Sequence, residues 1–148
     1  MAMAETTLFD RILEKSLPSH KVAEGENWYA FLDIFPRREG HTLVIPKQSV
    51  QRLSQLTNEM RNSLFEGVSS VQRVLSKHFE TDDFTVCIHD GPLAGQEVPH
   101  VHVHVIPRNP GDGGSTLHAM WPQAPPPTQE PDHEAFAILS SQLQEVNL

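Results

Sequence analysis

The sequence predicts an α+β domain with a mostly antiparallel sheet of about five strands. Three observations carry this: short apolar runs before residue 46, one long stretch of helical spacing from about Thr57 to His78, and further short runs after it. Strands on both sides of a single long helix favour hairpin-type pairing over a wound parallel sheet.

The elements follow in chain order. Met1 to Glu5 carries little that could pack and reads as a loose start. Thr6 or Thr7 can cap a short helix in which Leu8, Phe9, Ile12 and Leu13 recur at helical spacing, and Pro18 stops it. Lys21 to Glu24 and Trp28 to Ile34 read as two strands joined through Gly25-Glu26-Asn27. Pro36 to Gly40 is a loop, and His41 to Ile45 is a third strand ended by Pro46. In the long helix Met60, Leu64, Val68, Val71 and Leu75 form a stripe, which reads as core packing. Phe84 to Ile88 is a fourth strand, Asp90 to Gln96 a glycine-bearing loop, and Val98 to Ile106 a fifth strand ended by Pro107.

The composition changes after Arg108. Asn109 to Pro131 is rich in Pro and Gly and reads as an extended surface segment. Asp132 then caps a last helix with Phe136, Leu139 and Leu143 on one side. The chain of 148 residues is thus expected to form a single domain over 1–148, with its core within about 8–108, the extended segment at 109–131 and the last helix at 132–147.

Charge narrows the function classes. Eleven Lys and Arg against nineteen Asp and Glu give a net charge of −8, which argues against gripping nucleic acid or an anionic membrane through broad basic surface. The single Cys87 excludes an internal disulfide framework and a multi-cysteine zinc module. With no long apolar run and no charged-then-apolar leader, the expected compartment is the cytoplasm, with the nucleus as a further one. Nine histidines stand against one tyrosine, and three of them fall in one stretch, which directs the search for chemistry there.

That stretch is Pro99-His100-Val101-His102-Val103-His104-Val105-Ile106-Pro107. Successive side chains on a strand point to opposite faces, so the three histidines share one face and the three valines the other. The valine face suits a core against the long helix. The histidine face must be a reactive site, a solvated surface or a metal platform. Same-face neighbours lie about 7 Å apart and metal–nitrogen bonds are about 2 Å long. A neighbouring pair can therefore meet on one ion, but three histidines on a regular strand cannot easily do so. Catalysis fits better: a neutral imidazole can attack with one nitrogen while the other is held by a hydrogen bond. The preceding loop adds Gly91 and Gly95, which allow close backbone approach, and the amides of Gly95-Gln96-Glu97, which can cradle an anion.

His100-Val101-His102-Val103-His104-Val105-Ile106 resembles the motif of the histidine triad superfamily. Gly95-Gln96-Glu97-Val98-Pro99, Pro107-Arg108, Phe31-Leu32-Asp33-Ile34 and Gly40 to Lys47 are also similar to that superfamily, over about Leu8 to Arg108. The resemblance implies the histidine triad fold and attack by His102 on the α-phosphorus of a nucleotide derivative, giving a nucleotidyl-histidine that water resolves. It implies that His100 orients His102, that His104 contacts phosphate and that His41 is a further site histidine. Asp33 would hold the ribose hydroxyls, Phe9, Ile12, Phe31 and Ile34 would line the base pocket, and Gln96 and Glu97 would lie beside the phosphate. His89 stands where relatives commonly carry Asn or Gln against the nucleotide. The zinc-binding Cys-x-x-Cys of many relatives is replaced by Thr7-Leu8-Phe9-Asp10, so no metal and no cofactor are expected.

By the same resemblance the substrate is a purine nucleoside phosphoramidate of the AMP–amine type. A dinucleoside polyphosphate and a nucleotide-binding regulatory role are the alternatives. The resemblance also implies a homodimer, modestly supported by the apolar surface that one small sheet and one long helix leave uncovered.

Overall fold

The computed structural model describes residues 5–148. The expectation for Met1 to Glu5 lies, except for Glu5, outside the described residues. The chain divides into two compact units, one ending at Asp112 and one spanning Gly113–Leu148, each described by itself.

The first unit holds a five-stranded sheet of β1 (Lys21–Glu24), β2 (Trp28–Leu32), β3 (Thr42–Pro46), β4 (Phe84–Cys87) and β5 (Val103–Pro107), with a short helix α1 (Leu8–Leu13) and a long helix α2 (Asn58–Phe79). The strand order is β1-β2-β3-β5-β4, and every pair is antiparallel. The antiparallel α+β architecture expected from the sequence is therefore present. α2 begins one residue after the expected start at about Thr57, because Thr57 is its cap: the Thr57 side chain accepts from the Met60 amide.

Alternation along the strands sorts the core into two layers. Trp28, Ala30, Val44, Val101, Val103 and Val105 pack with Leu64, Val68, Val71 and Leu75 of α2. On the opposite face Phe31, Leu43 and Ile45 pack with Phe9 of α1. The valines of the His-Val stretch thus meet the long helix, which leaves the histidines on the α1 face.

The Trp28 ring lies where a side chain at Gly67 would be: a Cβ there would sit 2.6 Å from the indole. Alanine normally improves a helix interior by about 1 kcal/mol over glycine. Here the helix would have to move off the sheet, and overpacking of this kind costs about 1–3 kcal/mol. Gly67→Ala is expected to lower the midpoint of denaturant unfolding, against the helix-propensity trend.

Several strands are shorter than the sequence predicts. β2 stops at Leu32 because the Asp33 carboxylate turns back to accept from the Phe35 amide at 2.8 Å. The fifth strand begins at Val103, not Val98. Its partner β3 ends at Pro46, so the Val101 amide donates instead to the Val50 carbonyl at 2.9 Å. The second unit holds a 3-10 turn (Leu117–Met120) and helix α3 (His133–Gln144), with Asp132 capping the Ala135 amide. Its apolar side, Phe136, Leu139 and Leu143, is exposed.

Candidate active site

The site lies where β3 and β5 run side by side on the α1 face. Leu43 pairs with His104 across these strands, and His41 precedes β3 by one residue. The strands therefore bring His41 and His104 together from positions 63 residues apart, His41 Nε2 lying 2.9 Å from His104 Nδ1. His41 is 2 % exposed, His100 0 % and His102 7 %. His104 and His89 are half-buried, their rings 5.2 Å apart between centroids.

Hydrogen bonds to backbone groups fix which nitrogen of each ring carries the proton. The Arg37 amide can only donate, and it lies 3.0 Å from His41 Nδ1, so that nitrogen is an acceptor and the His41 proton sits on Nε2. His41 Nε2–H then donates to His104 Nδ1, which leaves the His104 proton on Nε2. That Nε2 is buried with no hydrogen-bond partner among the described residues. His102 Nδ1 lies 2.8 Å from the His100 carbonyl, which can only accept, so His102 is protonated at Nδ1 and its Nε2 carries the lone pair. The arrangement offers one nucleophilic nitrogen beside one unshared N–H donor, on rings whose centroids are 5.1 Å apart.

The electrostatics keep these rings neutral. Burial pushes His102 below the usual histidine value, against the hydrogen bond to the His100 carbonyl, which raises it. His104 is lowered to about 4 by burial and then by the neighbouring His102, His41 and His89. Burial likewise lowers His41 and His100. A neutral imidazole keeps its lone pair available for attack at ordinary pH.

His100 orients His102, but not through its ring. Its backbone carbonyl holds the His102 ring, while its own Nε2–H donates to the Pro46 carbonyl at 2.9 Å. Phe9 packs edge-on against His102, with centroids 5.0 Å apart, and also contacts His100 and Phe31. Phe9 and Phe31 are buried and Ile12 is half-buried in the α1 layer, whereas Ile34 is 68 % exposed. Asp33 places Oδ2 3.6 Å from His41 Nε2.

In the loop before the motif, Gln96 accepts from the Gly91 amide at 3.1 Å and donates to the Gln51 carbonyl at 2.9 Å. Its side chain thus braces the loop, while Glu97 is exposed. Gly95 has φ +99°, and a Cβ there would lie 3.3 Å from His89 Nδ1. A side chain at Gly95 would be strained and would crowd His89.

Asp33, His41 and His104 bring one ligand atom each within 4.8 Å of one another, the grouping among the described residues that has the spacing of a metal site. The hydrogen bonds argue against it. His41 Nδ1 is committed as an acceptor to Arg37, so its Nε2 keeps a proton and has no lone pair for an ion.

Sequence reasoning missed the backbone partners, the Arg37 amide and the Pro46 carbonyl, because their roles carry no side-chain signature. It also missed Asp10, although Thr7-x-x-Asp10 has the spacing of a capping box.

Fold and site together define a protein that presents neutral, hydrogen-bond-oriented imidazoles from the paired strands of a small antiparallel sheet. The chain belongs to the HIT domain family, whose sequence model matches residues 14–111. It is 36 % identical over 136 residues to an adenosine 5'-monophosphoramidase of Saccharomyces cerevisiae, covering 92 % of this chain and 79 % of that one. It is 47 % identical over 83 residues to a bis(5'-nucleosyl)-tetraphosphatase (asymmetrical) of Schizosaccharomyces pombe, covering 56 % and 46 % of the two chains. The crystal structure of a histidine triad nucleotide-binding protein from Candida albicans superposes with a TM-score of 0.78 at 28 % identity, covering 94 % of this chain and 95 % of that one. Among the described residues, no helix is long and apolar enough to cross a membrane.

Proposed function

We propose that this chain cleaves purine nucleoside phosphoramidates of the AMP–amine type through a nucleotidyl-histidine intermediate on His102. The observation that carries the reading is the bond from His102 Nδ1–H to the His100 carbonyl, which leaves the Nε2 lone pair as the nucleophile. Nε2 attacks the α-phosphorus, the phosphorus–nitrogen bond breaks, and the amine departs with a proton taken from water. Water then attacks the same phosphorus and releases AMP and neutral His102. His104 Nε2–H donates to a phosphate oxygen, which supplies the partner that this buried nitrogen otherwise lacks. His41 sets the His104 proton, Asp33 meets the ribose, and Phe9, Ile12, Phe31 and Ile34 flank the base. His89, Gly95, Gln96 and Glu97 form the rim of the phosphate site. The reaction belongs to the unit ending at Asp112 and uses no metal; the chain acts as a cytoplasmic homodimer.

Hydrolysis of dinucleoside polyphosphates is the second reading, favoured by the likeness to the Schizosaccharomyces pombe tetraphosphatase. The two share the histidine step and differ in the leaving group. Competing AMP-amides, AMP-lysine and dinucleoside triphosphates in one assay separates them. We expect AMP-amines to be consumed fastest. Preference for the dinucleotides would establish the second reading, and tight AMP binding without turnover of any compound would mark a regulatory binding protein.

A further inference from the structure

The proposed reaction leaves one buried polar group unexplained. His100 is 0 % exposed, and its Nδ1 has no hydrogen-bond partner among the described residues. The group that faces it is the Asp10 carboxylate of α1, with Oδ1 at 3.7 Å. The other oxygen of that carboxylate is fully engaged. Asp10 Oδ2 accepts from the Thr7 amide at 2.9 Å, from the Thr7 hydroxyl at 3.1 Å and from the Ser49 hydroxyl at 3.0 Å. Asp10 therefore ties two pieces of chain together, the start of α1 and the segment after β3, and rests its second oxygen against the ring whose carbonyl holds His102.

α1 has six residues, too few to hold a helix by its own hydrogen bonds. Its place on the sheet depends on such ties and on Phe9. Phe9 is the residue before Asp10, and its ring lies edge-on against His102 at 5.0 Å. His102 is thus gripped on one side by the His100 carbonyl and on the other by Phe9; Asp10 anchors the helix that carries Phe9 and lies against the His100 ring.

From this geometry we infer that Asp10 is a positioning residue for the His102 nucleophile, acting through α1 and Ser49 on Phe9 and through the facing ring on His100. It touches no substrate and takes no part in bond making. The inference rests on His102 being the nucleophile, and its effect falls on the covalent step, not on nucleotide binding. The carboxylate can be replaced by an amide without loss of the anchor. The amide oxygen of Asp10→Asn accepts from Thr7 and Ser49, and its N–H₂ donates to the bare His100 Nδ1.

The test compares Asp10→Ala, Asp10→Asn and Thr7→Val, the last removing the hydroxyl cap while keeping the bond between Asp10 and Ser49. Two readouts are used: single-turnover and binding measurements with an AMP-amide and AMP, and nitrogen-15 spectra of the histidine rings. We expect Asp10→Ala to slow the covalent step about tenfold or more while AMP affinity changes less than about threefold. Its His102 ring spectrum should show a mixture of Nδ1–H and Nε2–H forms. Asp10→Asn should keep the rate within about threefold and shift the His100 Nδ1 signal as that nitrogen gains a donor. Thr7→Val should lose stability without changing the His102 ring form. An unchanged His102 ring and rate in Asp10→Ala would overturn the inference, as would equal losses in Asp10→Ala and Thr7→Val. The ring spectra need no substrate, so they still judge the anchor if AMP-amides prove not to be substrates.

Discussion

Replacing His102 with alanine is expected to lower phosphoramidate turnover by about four orders of magnitude or more, the scale on which a lost nucleophile acts. None of His104, His41 and His100 can take over. His104 Nδ1 is occupied by His41, and His41 Nδ1 by the Arg37 amide. His100 Nδ1 has a free lone pair but is 0 % exposed beneath α1 and out of a substrate's reach. The fold should survive, because the valines beside His102 supply the packing against α2. Losing the ring's contact with Phe9 is expected to reduce stability by about 1–2 kcal/mol. Nucleotide binding should persist, since the contacts proposed to phosphate and ribose come from other residues. A nucleotide labelled at phosphorus should mark His102 in the native chain and leave the alanine variant unmarked. Near-normal turnover by the variant would remove His102 from the mechanism.

Stability is expected to fall steeply as pH drops from about 6.5 to about 4. In an unfolded chain a histidine titrates near 6.5. In the folded chain His104 is held neutral down to about 4, first by burial and then by its histidine neighbours. Between those values the unfolded state binds the proton and the folded state does not, so stability rises with pH across the window and is lost as pH falls through it. Each tenfold difference in proton affinity between the two states is worth about 1.4 kcal/mol, so His104 alone contributes on the order of 3 kcal/mol. Burial moves His41, His100 and His102 in the same direction and adds to the effect. Denaturant unfolding at a series of pH values checks this. His104→Gln should flatten the slope, while a free energy of unfolding that is constant from about pH 7 to about 4.5 would contradict it.

Much of the site was legible in the order of residues. Alternation pointed to Val101, Val103 and Val105 against the long helix and the three histidines on the other face; a strand imposes this from Val103 on, and the bond from the Val101 amide to the Val50 carbonyl holds the residues ahead of it. The stripe of α2 was equally readable, since helical spacing is local. The lengths of the strands were not. β2 gives way to a turn at Asp33, and the fifth strand starts late because its neighbour ends in a proline. The first boundary was set by a carboxylate turning back on its own backbone, the second by what a partner segment had left to bond.

By itself, then, the sequence determined that one face of a small sheet would carry a row of imidazoles, and which of them would be central. Tertiary structure decided what each imidazole is. The His41 proton is placed by the Arg37 amide, the His102 proton by the His100 carbonyl, and the low affinity of His104 for a second proton by the depth at which β3 and β5 bury it. Whether the Asp33, His41 and His104 group can hold a metal ion turned on the same bonds and not on spacing. The physical reason is that a histidine has two nitrogens and one mobile proton. Its chemistry is settled by whatever donor or acceptor reaches the other nitrogen, and here those groups are a backbone amide and a carbonyl close by in the chain and, for His104, the His41 ring brought alongside by the pairing of β3 with β5.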